Sequence, residues 1–291
     1  MLFYTKTPKF ISSLHFHLFY VVVSLLFFSP SRSFSQEKKL PREELIALAK
    51  EAVNNMNNEL YEKSLIQSRS ALRYAILAKD VELIAQIYNI IGGNFDGLLE
   101  YEKAMFYYKK GLIFAEKTNN NVSKYTINNN LGNIYFFDKK DFKKGIYHYK
   151  KALEYCSKIK DTSNMVFTKI NMAWAFFDVQ KFNEGYPYLQ FVNDNFSKHG
   201  DTSLKCISSM LNGMYLSYKK DTKKATTFFE NAIKYGIEEE EKSDLSYAYL
   251  EYSKFLNKIN PSMKQVHLSG EKLFVDYSGA TIPIVNQRTG E

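Results

Sequence analysis

Five histidines and two cysteines are the side chains of this 291-residue chain that could ligate a metal ion or act as nucleophiles. Two of the histidines fall in a leader segment, and the other three have no second histidine or cysteine at metal-ligand spacing. The sequence also contains no glycine-rich phosphate loop, nucleophile elbow or helical His-Glu pair. We therefore predict a protein that is not an enzyme and has no metal and no cofactor. The residues concerned are His15, His17, His148, His199, His267, Cys156 and Cys206.

Amide and apolar side chains give the chain a binding chemistry instead. Asparagine side chains can pair with the backbone of an extended peptide, and tryptophan with methionine can form an apolar pocket. We therefore predict a groove for a protein or peptide ligand; the alternative that its tryptophan and methionines belong partly to the core stays open. The predicted groove residues are Asn89, Asn129, Asn133, Trp174, Met210 and Met214.

An internal repeat has to bring these residues together. Small residues recur in three series with a period of 40 or 41 residues; the second series follows the first by 12 residues, or 13 in the third unit, and the third follows by seven more. Because two helices joined by a tight turn approach closely only at small side chains, this register predicts stacked helix pairs. An aromatic residue usually lies four residues after the second series, as at Tyr108, Tyr149 and Phe229. The series are Ala52, Gly92, Gly132, Ala173, Gly213 and Ser253; Ser64, Ala104, Gly145, Gly185 and Ala225; and Ala71, Gly111, Ala152, Val192 and Ala232.

The best-matched stretch runs from Leu131 to Leu153 and contains Leu-Gly-Asn-Ile-Tyr, Asp-Phe-Lys-Lys-Gly and Tyr-Lys-Lys-Ala-Leu. This pattern, which extends over residues 43–256, resembles the tetratricopeptide repeat (TPR), whose standard unit has about 34 residues. HEAT-like repeats share the longer unit but lack the small–aromatic–small register. The resemblance implies an all-α fold, a TPR-type α-solenoid in which a superhelix of helix pairs has a concave groove along the first helices.

The resemblance also selects the groove positions. With the first small series as position 8 of each unit, positions 2, 5, 9 and 12 face the groove. Family members that bind chaperones clamp a C-terminal carboxylate with lysines at positions 2 and 5. Those lysines are absent here, so that ligand class is not supported. The groove positions in units two to five include Gln86, Asn89, Asp96, Asn129, Asn133, Phe136, Ile170, Trp174, Phe177, Met210, Met214 and Ser217.

Asp or Asn recurs at the start of each later unit, at Asp80, Asn120, Asp161 and Asp201. Their side-chain oxygens accept bonds from the free backbone N–H groups of a helix start, so we predict N-caps there. The predicted complete units are residues 43–79, 80–119, 120–160, 161–200 and 201–240. A sixth unit opens at Ser243 and contains one helix only.

The first 35 residues are typical of a secretory signal peptide. Lys6 and Lys9 give the positive start, and Leu18 to Phe28 form an apolar run too short to span a membrane. Small residues at Ser33 and Ser35 predict cleavage before Gln36 and export to the periplasm or medium, with no membrane span in the mature chain. The alternative is an uncleaved N-terminal anchor.

The texture of the sequence changes after Pro261. Residues 272–277 and 281–285 are predicted as two short strands around Ser278-Gly279, a hairpin-like tail. Residues 262–291 resemble the start of the integrase core of IstA-like insertion-sequence transposases, through His267, Gly270-Glu271-Lys272, Val275-Asp276-Tyr277-Ser278-Gly279 and Thr289-Gly290-Glu291.

In that family the residue matching Asp276 is the first of three carboxylates that hold two metal ions. One carboxylate cannot hold them, so the tail is predicted to be inactive. We predict an insertion element that interrupted a repeat-protein gene.

The formal net charge of the chain is +8. Its lysine pairs, such as Lys109-Lys110, alternate with apolar helical positions and are interpreted as solvated faces. No nucleic-acid partner is predicted, because binding would need the charge on one surface.

The favoured function is therefore an exported binding scaffold that resembles the sensor regions of bacterial TPR regulators. One alternative is a transposase fragment involved in DNA integration. Another is a truncated product that folds poorly.

Overall fold

The computed structural model describes residues 40–239, 242–259, 274–277 and 280–283. The predicted signal peptide and its cleavage site lie outside the described residues. The described ranges contain eleven α-helices and two strands. The helices are α1 Arg42–Asn57, α2 Tyr61–Ala78, α3 Val81–Gly97, α4 Tyr101–Ala115, α5 Asn121–Asn133, α6 Phe142–Ile159, α7 Thr162–Asp178, α8 Phe182–His199, α9 Lys205–Tyr218, α10 Thr222–Glu238 and α11 Lys242–Ile259; β1 is Phe274–Tyr277 and β2 is Ala280–Pro283.

The helices pack in sequence order: α3/α4, α5/α6, α7/α8 and α9/α10 form antiparallel pairs, and α11 packs against both helices of the last pair. α1 and α2 form the first pair, in which the Ser64 hydroxyl donates to Ala52 O at 2.7 Å. This arrangement confirms the predicted helical solenoid. We call each pair a unit and its helices the first and second helix. Because every unit contacts its sequence neighbours, the chain forms one stacked array of helices.

The predicted small-residue series are the contact points within units. In the five complete pairs every member of the three series is buried. A methyl group added to Gly132 would lie 2.5 Å from the Tyr149 ring, and one added to Gly92 would lie 2.5 Å from that of Tyr108. The aromatic side chain of the second helix therefore lies directly on the glycine of the first. This contact explains why small and aromatic residues share one period.

Each unit turns between its helices through a residue in the left-handed conformation. These residues follow the 40- or 41-residue period although none is glycine. In the second unit Leu99 N–H donates to Asp96 O and Glu100 N–H to Phe95 O, both at 2.8 Å, the bonds of a Schellman cap. The turn residues are Glu59, Leu99, Lys140, Gln180 and Lys220, with φ between 52° and 63°.

The predicted N-caps are confirmed. The side chain of Asp80 accepts from Leu83 N–H at 3.0 Å, and that of Asn120 from Ser123 N–H at 2.9 Å. Asp161 accepts from Asn164 N–H at 3.0 Å. Asp201 caps a 3₁₀ turn, Thr202–Leu204, that precedes α9, instead of the α-helix itself.

The third unit contains one extra residue, which is accommodated inside its first helix. A π-helical segment, Ile134–Asp138, continues α5, and Lys139 N–H donates to Ile134 O five residues earlier. The wider turn absorbs one residue, and Asp141 N–H then donates to Tyr135 O six residues earlier, where Glu100 N–H of the second unit donates to Phe95 O five residues earlier. The second small series therefore follows the first by 13 residues in this unit and by 12 in the other four.

The two short strands β1 and β2 pair antiparallel, with Tyr277 opposite Ala280 and Phe274 opposite Pro283. Cys156 and Cys206 are both buried, and they form no disulfide bond with each other. Among the described residues, no helix has both the length and the apolar character needed to cross a membrane.

Candidate functional site

A groove of about 280 Å³ lies along the first helices of units one to three. Its floor is apolar, from Leu83, Ile90 and Ala49, and its polar groups come from Lys50, Gln86 and Asn89. We call it the first-helix groove. Its remaining lining residues are Ile46, Val53, Val122, Ser123 and Thr126.

The repeat register accounts for this lining. Ile46, Gln86 and Thr126 are position 2 of units one, two and three, Ala49 and Asn89 are position 5, and Val53 is position 9. The predicted groove residues begin in the second unit and therefore do not include those of α1. Extending the same positions to the first unit identifies Ile46, Ala49 and Val53.

The three predicted asparagines serve different purposes. Asn89 lines the groove, and its side-chain oxygen accepts from Asn130 Nδ2 at 3.1 Å. Asn129 is 4% exposed and accepts from the Thr168 hydroxyl at 3.3 Å. Asn133 accepts from the Tyr149 hydroxyl at 2.9 Å and from Asn171 at 3.2 Å. The bonds from Thr168 and Asn171 come from the fourth unit, so Asn129 and Asn133 stabilise the stack of first helices, whereas the bond from Tyr149 lies within the third unit.

The predicted apolar pocket residues are mostly part of the core. Met210 is fully buried, and Trp174 is 7% exposed. The Trp174 ring packs edge-on against Phe137 and against Tyr247 of α11, with centroids 4.9 Å apart in both pairs. Met214 lines a second, smaller cavity of about 170 Å³ with residues of α10 and α11, including Phe229 and Phe255. The structure therefore does not bring the six predicted residues into one site.

Two carboxylates of the first helices lie close together in units two and three. Burial and the nearby charge of Asp138 raise the pKa of Asp96 to about 6, against the bond it accepts from the Tyr108 hydroxyl at 3.4 Å. Burial also raises the pKa of Asp138, which accepts a hydrogen bond from Tyr101. Among the described residues, no group of three or more His, Cys, Asp or Glu side chains could hold a metal ion.

Comparison with known proteins gives one short sequence match and similar folds. No family model matches the chain. A curated protein of Pseudomonas fluorescens, assigned as the transposase of insertion sequence IS1162, is 45% identical over 40 residues, which are 14% of this chain and 7% of that protein. The chain thus spans a small fraction of the length of that relative.

Among solved structures, BtubC (BKLC) from P. vanneervenii overlaps with a TM-score of 0.54 at 17% identity, over 81% of this chain and 87% of that chain. This likeness shows a shared helical fold. The TPR2AB domain of yeast Sti1, solved in complex with pHSP90, overlaps with a TM-score of 0.34 at 16% identity, over 72% of this chain and 85% of that one.

Proposed function

We propose that the chain is a non-catalytic scaffold that binds an extended peptide segment of a partner protein in the first-helix groove. The observation that carries this proposal is the lining of the groove. An apolar floor beneath a few polar groups is the usual composition of a ligand site. The amides of Gln86 and Asn89 offer a donor and an acceptor to a peptide backbone, and Ile46, Val53 and Val122 offer contacts for apolar side chains.

A peptide library displayed on phage, selected against the full chain, tests this proposal. Enriched peptides should bind the wild-type protein at least tenfold more tightly than an Ile46→Glu/Val53→Glu variant, because hydrated carboxylates then replace the apolar contacts that the lining offers. An Ile76→Glu variant is the matched control, since Ile76 is 51% exposed and lies outside the lining. Equal binding by all three proteins would refute the groove as the site.

Export from the cytoplasm is the second part of the proposal. The positive start, apolar run and small residues of the first 35 positions support it. Cell fractionation with N-terminal sequencing tests it. A mature chain that begins at Gln36 in the periplasm or medium is expected, and recovery of the whole chain in the cytoplasm would refute it.

The transposase match favours a second candidate for the tail only. We propose that residues 262–291 derive from the start of an integrase core, joined to a repeat protein by an insertion element. Asp276 matches the first carboxylate of the triad that holds two metal ions in that family. Sequencing of the locus tests this origin. A repeat reading frame that continues with no element nearby would contradict it.

A further inference from the structure

The second helices of units one to three present one side to solvent, and that side carries basic and apolar residues together. The four positions on each helix lie at i, i+3, i+7 and i+10, within one helix face. We call these twelve positions the second-helix stripe. They are Lys63, Ile66, Ser70 and Arg73 on α2; Lys103, Phe106, Lys110 and Ile113 on α4; and Lys144, Tyr147, Lys151 and Glu154 on α6.

The apolar members of the stripe are far more exposed than folding requires. Ile66 is 70% exposed, Phe106 52%, Ile113 58% and Tyr147 56%. Scattered exposed apolar residues are ordinary on protein surfaces. Here Ile66, Phe106 and Tyr147 occupy the same register position in three consecutive units, so they form a repeated surface feature.

The repeat architecture itself does not demand this composition. The matching positions of the fourth unit are Glu184, Pro187, Phe191 and Asp194, and those of the fifth are Lys224, Thr227, Asn231 and Lys234. Phe191, the one large apolar side chain among them, is partly covered by the ammonium group of Lys169, 3.4 Å from its ring centroid. Units with the same fold thus lack large exposed apolar side chains at these positions.

The stripe is also strongly positive, with six basic residues and one carboxylate. Lys144 pairs with Asp141 at 2.7 Å and Lys151 with Glu154 at 3.1 Å, and Lys103 pairs with Glu100. All three are exposed pairs within one helix region, which hold together weakly and exchange readily for another anion. Lys110 lies 4.5 Å from the Phe106 ring centroid, with its charge beside an apolar group.

We propose that the second-helix stripe docks on the surface of an anionic phospholipid bilayer. Lysine and arginine at this surface attract acidic headgroups, and aromatic rings favour the interface between headgroups and acyl chains. Exposed isoleucines favour a bilayer over a nucleic acid, since Ile66 and Ile113 can enter the acyl region but have no partner along a phosphate backbone. The stripe lies on the second helices, so this docking does not depend on the first-helix groove.

Co-sedimentation of the full chain with vesicles tests the proposal. Vesicles of phosphatidylcholine alone are compared with vesicles containing roughly a third of phosphatidylglycerol, at low ionic strength. Every protein compared carries the same N-terminal leader, so differences between variants report the stripe alone. The wild-type chain should partition at least about a hundredfold more strongly onto the anionic vesicles.

Two variants remove the two components of the stripe. Lys103→Gln/Lys110→Gln/Lys151→Gln should lower anionic partitioning about a hundredfold, because each lysine near the surface contributes about a factor of five. Ile66→Ser/Phe106→Ser/Tyr147→Ser should lower it about tenfold or more, through lost apolar insertion. The matched control removes three lysines from α10, Lys223→Gln/Lys224→Gln/Lys234→Gln, and should keep most of the binding.

Circular dichroism and the thermal midpoint establish that each variant folds. Equal partitioning onto neutral and anionic vesicles would overturn the proposal, as would equal losses for the α4/α6 lysine variant and the α10 control. Binding to single-stranded RNA that depends on the stripe, without vesicle binding, would also overturn it in favour of a nucleic-acid surface.

Discussion

Units one to three and units four and five pack through the same register of small residues, but their side chains at matching positions differ. In the second and third units the aromatic residue that lies on the glycine of the first helix is a tyrosine. Its hydroxyl donates a hydrogen bond to Asp96 in the second unit and to Asn133 in the third. In the fifth unit the aromatic residue is Phe229, which has no hydroxyl. The first-helix groove and the second-helix stripe also belong to units one to three, whereas aromatic side chains fill the space around Trp174.

This difference separates two roles of sequence in a repeat protein. The residues in register determine how helices approach, so they are similar in every unit. The residues between them contact solvent or a partner, and they diverge from unit to unit. The four experiments below change one unit at a time, in order of expected effect.

The largest effect is expected at Gly132, the glycine that the Tyr149 ring covers. Gly132→Ala places a methyl group 2.5 Å from the Tyr149 ring, whereas Gly213→Ala places one 3.0 Å from the Phe229 ring. Overpacking should lower the free energy of unfolding by about 3 kcal/mol at Gly132 and about 1 kcal/mol at Gly213, after the better helix propensity of alanine. Urea denaturation measures both. Equal losses would mean that the Tyr149 and Phe229 rings move aside for the added methyl group equally well.

A smaller effect of opposite sign is expected at Asp96. Its pKa in the folded protein is about 6, above the ordinary 3.8, so its favourable contribution is complete below pH 3.8 and is lost as pH rises through 6. Asp96→Asn removes this penalty and should stabilise the protein by about 2 kcal/mol at pH 8 and not below pH 4. Ser217→Asn, at the matching position of the fifth unit, is the control. A gain that does not change with pH would contradict the burial of an ionised carboxylate at Asp96.

His148 should make the third unit sensitive to acid. Burial and the charge of Lys109 lower its pKa from 6.5 to about 4, so its contribution is present above pH 6.5 and is lost as pH falls toward 4. His148→Tyr introduces the residue found at the matching position, Tyr188. Between pH 7 and pH 4 the free energy of unfolding of this variant should fall by about 1 kcal/mol less than that of the wild type, after allowance for solvent screening. Thermal denaturation at several pH values measures the difference. An unchanged slope would mean that another group titrates.

The smallest effect should be the same in both regions, because the turns are shared. Leu99→Gly and Lys220→Gly each relieve a left-handed backbone, with φ of 60° and 63°. Each should raise the free energy of unfolding by about 0.5–1 kcal/mol, since glycine adopts this conformation without strain but loses more entropy on folding. Chemical denaturation of the two variants measures the gains. A gain at one turn only would show that the backbone strain at Leu99 and at Lys220 is not the same.

The solenoid could be predicted from the sequence because its determinants are short-range and repeated. Small residues at Gly92 and Gly132, aromatics at Tyr108 and Tyr149 and caps at Asp80 and Asp161 each report a local contact that recurs. The left-handed turns were missed because the usual signal is glycine, and Leu99 or Lys220 gives none. Their 40-residue spacing was the signal available.

The site was harder to predict because exposure depends on neighbouring units. Asn89 and Asn129 occupy position 5 of consecutive units, yet Asn89 lines the groove and Asn129 is buried against Thr168. Trp174 is covered by Tyr247 of α11, more than 70 positions further along the chain. No local pattern contains that contact.

The π-helical segment Ile134–Asp138 has a consequence for the evolution of the repeat array. A gene built by tandem duplication gains and loses codons, and a codon added to a turn would rotate every later helix pair. Here the third unit keeps a left-handed residue at Lys140, and the small series resume their register after it. The extra codon was taken up within one wide turn of a helix. A helix of this kind is a site where the chain can gain a residue while all the helix pairs that follow keep their packing partners.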